Sequence, residues 1–264
     1  MTTENAADTD AAKGEPAPEQ SFLSHLIELR SRLVRSAVAI VVVFLALSPF
    51  MKEIFDLLSD PMMAALPAGS KLLATGVITP FMVPLKVTLF AAFIIALPYV
   101  LWQVWAFVAP GLYKSEKRLA APMIVSSVAM FAAGVAYCYF VVFKLIFRFI
   151  ANFAPMSVTV SPDIEAYFSF VMGMFIAFGL TFEVPIVVVL LARFGIADVQ
   201  KLKQVRPYVI VGAFIVAAIF TPPDVVSQLL LAIPLVVLYE LGIVLARFFA
   251  KPKPEEEASP QQAS

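Results

Sequence analysis

The chain carries almost none of the residues on which disulfide, metal or redox chemistry is built: in 264 residues there is one cysteine, Cys138, and one histidine, His25. A lone thiol forms no disulfide within the chain, and one imidazole falls short of a metal-ligand set, so no metal site is expected. Cys138 lies in an apolar run and reads as a packing residue. Glycine is also sparse, with 10 residues, and none falls in a Walker-type or dinucleotide-binding loop, so no cofactor is expected. Charged residues make up 14% of the chain and sum to zero. No nucleic-acid partner is expected.

Apolar residues are abundant. Hydrophobic side chains make up 61% of the chain, with 24 Phe, and the mean hydropathy of +0.91 is far above that of a soluble domain of this length. A bilayer-crossing helix needs about 20 mostly apolar residues. Six segments qualify or nearly so, over residues 34–50, 81–108, 119–143, 166–192, 207–220 and 225–246, with Lys86, Glu183 and Glu240 as the charges within them besides Arg35 at the edge of the first. Alternating barrel strands are not seen, and helices satisfy their own backbone groups in lipid, so the expected fold class is an all-α integral membrane protein of six transmembrane helices.

Six crossings put both termini on one side. Arg30, Arg32, Arg35, Lys114, Lys117, Arg118, Arg193, Lys201, Lys203, Arg206, Arg247, Lys251 and Lys253 flank one set of span ends, and only Lys52, Lys71, Lys144 and Arg148 the other. The positive-inside rule then predicts cytoplasmic termini, with residues 51–80, 144–165 and 221–224 outside. The fifth span covers about 21 Å at the rise of an α-helix, short of a hydrocarbon layer of about 30 Å. The sixth, interrupted by Pro234, is expected to be short as well. Residues 54–66, amphipathic and broken by Pro61, predict short helices lying on the outer surface. Pro98, Pro185 and Pro234 predict kinks that curve the bundle. Residues 1–20, rich in acids, and 250–264 read as disordered tails flanking a membrane domain over residues 21–249.

Few side chains are available for function. Glu183 is the one charge in the run 166–192, and leaving a carboxylate at that depth costs about 3 kcal/mol or more. It is either bonded to the Thr181 carbonyl that Pro185 frees or directed at a partner or wet cavity. Glu28 lies on an amphipathic segment over residues 21–33 and is either an ordinary helix pair with Arg32 or part of a ligand site. Glu116, at the start of the third helix, either answers the helix dipole or joins that site. Both acids sit on an otherwise basic face near Trp102, Trp105, Phe107 and Tyr113, where two carboxylates suit a planar guanidinium better than an ammonium. Thr221 and Gln228 read as interhelical hydrogen-bonding groups or as a docking point for a partner. Glu240 is expected to snorkel or to pair with Arg247. A proton-coupled carrier using Glu183 and a purely structural scaffold are rival readings, though matching interrupted repeats are not seen.

Five motifs, HLIELRSRL (25–33), QVWAFVAPGLYKSEKR (103–118), SFVMGMFIAFGLTFEVP (169–185), RPYVIVGAF (206–214) and TPPDVVSQLLLAIP (221–234), resemble the twin-arginine translocase subunit TatC family in order and spacing. The resemblance implies a glove-like bundle in the cytoplasmic (inner) membrane, not an enzyme. Such a protein acts as receptor for twin-arginine signal peptides of folded cargo proteins, with export driven by the membrane potential or the proton gradient. It implies that Glu28 and Glu116 contact the signal's arginines, with Arg30 and Gln103 in the same patch. It further implies that Glu183 faces the concave side, and that Thr221 and Gln228 form a polar cluster where single-span TatA/TatB-type subunits dock. Pro61 and Asp224 fall at outer-face structural positions, and self-association in a larger complex is implied.

Overall fold

The computed structural model describes residues 18–67, 70–108, 117–153, 161–221 and 224–249. The tails expected over residues 1–20 and 250–264 lie outside these, apart from residues 18–20. The described elements run α1 (Pro18–Leu47), a 3₁₀ turn (Ser48–Phe50), α2 (Met51–Met63), α3 (Thr79–Val108), α4 (Lys117–Tyr137), a π-helical turn (Cys138–Val142), α5 (Phe143–Phe153), α6 (Ile164–Arg193), α7 (Val199–Gln204), α8 (Arg206–Phe220) and α9 (Val225–Phe249). The isolated β-bridge among the described residues joins Leu73 to Asp163. Five helical stretches are long and apolar enough to cross a membrane, Leu26–Met63, Thr79–Phe107, Ala121–Phe153, Ile164–Arg193 and Val225–Phe248, and α8 is a shorter apolar helix.

Three sequence expectations are corrected. The third span does not stop at Phe143 but runs on through the π-helical turn into α5, so Lys144 and Arg148 lie on a helix rather than in a loop. The strong amphipathicity of α5 explains this, since it buries Phe143, Ile146 and Phe147 while its charges stay on the other face. The sixth span is not short, because α9 continues through Pro234 for 25 residues. Nor does Pro61 break α2, which extends to Met63. Pro61 has no N–H for the Leu57 carbonyl, and the Tyr139 hydroxyl donates to that oxygen instead, at 2.9 Å. Tyr167 does the same for Leu58 at 2.7 Å. Two tyrosines from the bundle thus complete the last turns of α2 from outside.

Helix α6 is the hub, packed against α3, α4, α8 and α9, whereas α1 leans chiefly on α3. Half of the most apolar stretch of α6 is buried against 6% for the first span, so α1 presents Leu33, Val38, Val42 and Leu45 outward as a lipid-facing surface. Glycine lets the central helices approach. A Cβ on Gly134 of α4 would stand 2.6 Å from the Phe178 carbonyl oxygen of α6, and one on Gly242 of α9 would stand 2.9 Å from the Pro185 Cα. Large aromatic rings fill the rest of the core, with Phe143 and Phe175 edge to face at 5.2 Å and Phe55 against Phe168 at 4.6 Å. Cys138 is fully buried there.

The entry to α6 is fixed by Asp163, whose carboxylate accepts from the Glu165 and Ala166 amides at 2.9 and 3.0 Å and from the Thr75 hydroxyl at 2.7 Å. The Ala166 amide first, then the Thr75 hydroxyl, hold this carboxyl below the usual aspartate range. The cap ties the segment after α2 to the start of the central helix.

Candidate functional site

Helices α1 and α3 bring together one polar cluster foreshadowed in the sequence. Glu28 Oε1 accepts from Arg32 Nε at 3.0 Å and from Arg32 Nη2 at 2.6 Å. The remaining prong, Nη1, donates to Gln103 Oε1 at 3.2 Å. One guanidinium therefore spans a carboxylate on α1 and an amide on α3. Gln103 is buried, so its side chain is held by α3 packing, while Glu28 and Arg32 are half-buried, at 35% and 21% exposure. Arg30 is exposed on the neighbouring face of α1 and is not drawn into these bonds. Glu116 lies outside the described residues. The sequence marks Glu28 and Arg32 as a helix pair by their spacing, but that Arg32 also reaches Gln103 depends on how α1 crosses α3.

A second cluster surrounds the intramembrane acid. The Ser127 hydroxyl of α4 donates to Glu183 Oε2 of α6, and Trp105 Nε1 of α3 donates to Ser127 Oγ at 3.3 Å. The partner of Glu183 is thus a hydroxyl across the helix crossing rather than the Thr181 carbonyl. The freed carbonyl lies along the helix axis, whereas the glutamate projects sideways into the α4 contact. Ser127 is fully buried, and the other oxygen of Glu183, Oε1, is buried without a hydrogen-bond partner among the described residues. Nothing in an apolar run containing two adjacent serines singles out Ser127. Substituting Ser127 with Ala strands the second oxygen too and costs about 1–3 kcal/mol, readable as a lowered unfolding temperature in detergent. A Ser127→Ala/Glu183→Leu double variant recovers the part of that loss due to the carboxylate, because the stranded acid is gone, and leaves only Trp105 Nε1 without its acceptor. Equal unfolding temperatures for wild type and Ser127→Ala would show that the bond contributes nothing.

The remaining candidates separate. Gln228 Nε2 of α9 donates to the Phe214 carbonyl of α8 at 3.2 Å, an interhelical bond. Thr221 instead bonds back within its own helix, to the Ala217 carbonyl at 2.8 Å, and is buried. Asp224 caps α9 through the Ser227 amide at 2.7 Å, and Pro61 sits in the last turn of α2 beneath Tyr139. Glu240 pairs with Arg206 at 2.5 Å rather than with Arg247, because α8 runs alongside α9 and brings Arg206 abreast of it. Lys86 likewise meets Glu165 across α3 and α6, at 2.9 Å.

Fold and site together define a multi-pass α-helical membrane protein whose few polar side chains gather where helices cross and at helix ends. Residues 24–234 match the family described as Sec-independent protein translocase protein (TatC). The TatC of Escherichia coli (strain K12) is 50% identical over 230 residues, covering 87% of this chain and 89% of that protein. The TatC of Halothiobacillus neapolitanus is 49% identical over 232 residues, covering 88% of this chain but only 63% of that longer relative. A crystal structure described as the twin arginine translocase receptor TatC superposes with a TM-score of 0.76 at 36% identity, over 85% of this chain and 99% of the other. The chain belongs to the TatC family, whose members are protein translocase components, and it is a transport protein by that membership.

Proposed function

We propose that this protein is the receptor and core subunit of a twin-arginine translocase, holding the paired arginines of a signal peptide between Glu28, Glu116 and Gln103. The observation that supports this most directly is the guanidinium of Arg32 lying between Glu28 and Gln103, since a pair of acceptors that already fits one guanidinium has the geometry for another. In this reading α8 is the fifth of six spans of a glove-like bundle in the inner membrane. Both termini are cytoplasmic, and α2 lies on the outer surface. The signal's apolar segment follows its arginines into the concave face, toward Glu183. Arg30 adds to the patch without bonding Glu28. Single-span TatA/TatB-type subunits dock near Thr221 and Gln228, Pro61 and Asp224 shape the outer face, and several copies assemble. No covalent chemistry is involved.

Photocrosslinking of a synthetic twin-arginine signal peptide to the purified protein, against the same peptide with twin lysines, tests the reading. An ammonium cannot make the forked contact, so the twin-lysine peptide is expected to label about tenfold less or worse, one such contact corresponding to about 1.4 kcal/mol or more. Equal labelling by the two peptides would rule out recognition of a guanidinium at this patch.

A further inference from the structure

We propose that Arg32 is a built-in competitor for the signal's arginines, an affinity-setting residue that fixes how strong a ligand must be to occupy the Glu28 and Gln103 acceptors; this rests on the receptor reading above. All three bonds of the Arg32 guanidinium go to those acceptors, two to Glu28 Oε1 and one to Gln103 Oε1. With Arg32 in place the carboxylate is locally neutralised and the amide oxygen is engaged. A second guanidinium arriving at the same oxygens meets a like charge at short range. Arg32 must therefore swing away before the ligand's fork can close.

The exchange is physically easy. Arg32 and Glu28 lie four residues apart on one helix and both are partly exposed, a class of ion pair worth little in itself. Displacement by another guanidinium replaces like with like, whereas an ammonium gives up two prongs and returns one. Because an internal competitor reduces the fraction of receptor able to bind, every ligand's apparent affinity falls by the same factor. Arg32 thus imposes a threshold that a twin-arginine ligand clears and weaker cations do not, without altering the ratio between them. The effect lies in the rate of capture, since only molecules with Arg32 displaced accept the ligand. Dissociation of the bound peptide is not affected.

The test is stopped-flow and equilibrium binding of fluorescent twin-arginine and twin-lysine signal peptides to the full chain in lipid nanodiscs. The variants are Arg32→Gln, Arg32→Lys, Glu28→Ala and Glu28→Ala/Arg32→Gln. Arg32→Gln is expected to raise the association rate and affinity for both peptides about two- to fivefold, the upper part of the range spanned by a weak, partly exposed pair, with dissociation rates and the ratio between peptides unchanged. Arg32→Lys falls between, and carries the same sign should the glutamine variant not fold. Weaker binding in either Arg32 variant, or a gain residing in dissociation, would show that Arg32 props the site rather than occupies it and would overturn the proposal. Full binding by Glu28→Ala would instead remove the receptor reading itself. In the double variant the Arg32→Gln gain shrinks but keeps its sign, because no carboxylate remains to be uncovered and only the Gln103 acceptor is freed.

Discussion

Glu28→Ala is expected to cut crosslinking of a twin-arginine signal peptide about tenfold or more while leaving the protein as stable as wild type. Hydrogen bonds to a charged group are worth about 1.5–3 kcal/mol each, and each 1.4 kcal/mol is a factor of ten in affinity. Loss of the carboxylate removes the ligand's charged acceptor and leaves Arg32 with Gln103 as its hydrogen-bonding partner, so a net positive charge now guards the patch. Glu28→Gln keeps an acceptor but not the charge and belongs between the two. Stability is spared because Glu28 is partly exposed and its pair with Arg32 is local, worth only about 0.3–0.5 kcal/mol. Peptide titration and thermal unfolding on the same samples separate binding from folding. Wild-type labelling by a folded Glu28→Ala variant would eliminate Glu28 as a contact.

Gly134→Leu is expected to abolish most of the folded protein, with Gly134→Ala losing about 1–3 kcal/mol by overpacking. The obstacle is backbone: a Cβ at this position meets the Phe178 carbonyl oxygen at 2.6 Å and its carbon at 3.0 Å, and neither can rotate aside as a side chain could. Relief requires α4 to move off α6, which would also pull Ser127 from Glu183. Gly212→Ala supplies the control, because its Cβ meets nothing within 4 Å. Recovery of monodisperse protein after detergent extraction measures the difference. A Gly134→Leu variant that behaves like Gly212→Ala would mean that the crossing of α4 and α6 is looser than these distances state.

Much of the architecture was legible because lipid imposes a one-dimensional rule. Long apolar runs marked five helices and the short α8, although only the structure showed which were full-length. The errors have separate causes. Lys144 and Arg148 made α5 look like a loop, since a hydropathy reading averages over the two faces of a helix that buries one and exposes the other. Pro61 looked like a break, since a missing donor can be replaced by a tyrosine hydroxyl from elsewhere in the chain. At the candidate site, Glu28 was conspicuous as an acid on a basic face and Glu183 as a charge within a span. Their partners were not conspicuous, because Ser127, Arg206 and the reach of Arg32 to Gln103 exist only as contacts between helices distant in sequence.

The sequence alone determined that this chain belongs in a membrane, where its helices begin to be apolar, and which acids stand against that background, because burying charge or backbone in lipid is costly wherever it occurs along a chain. The tertiary structure decided which of those acids meet which donors, and where glycine lets two backbones touch. Those are properties of pairs of helices, set by the angle and register at which they cross, and no single segment carries them.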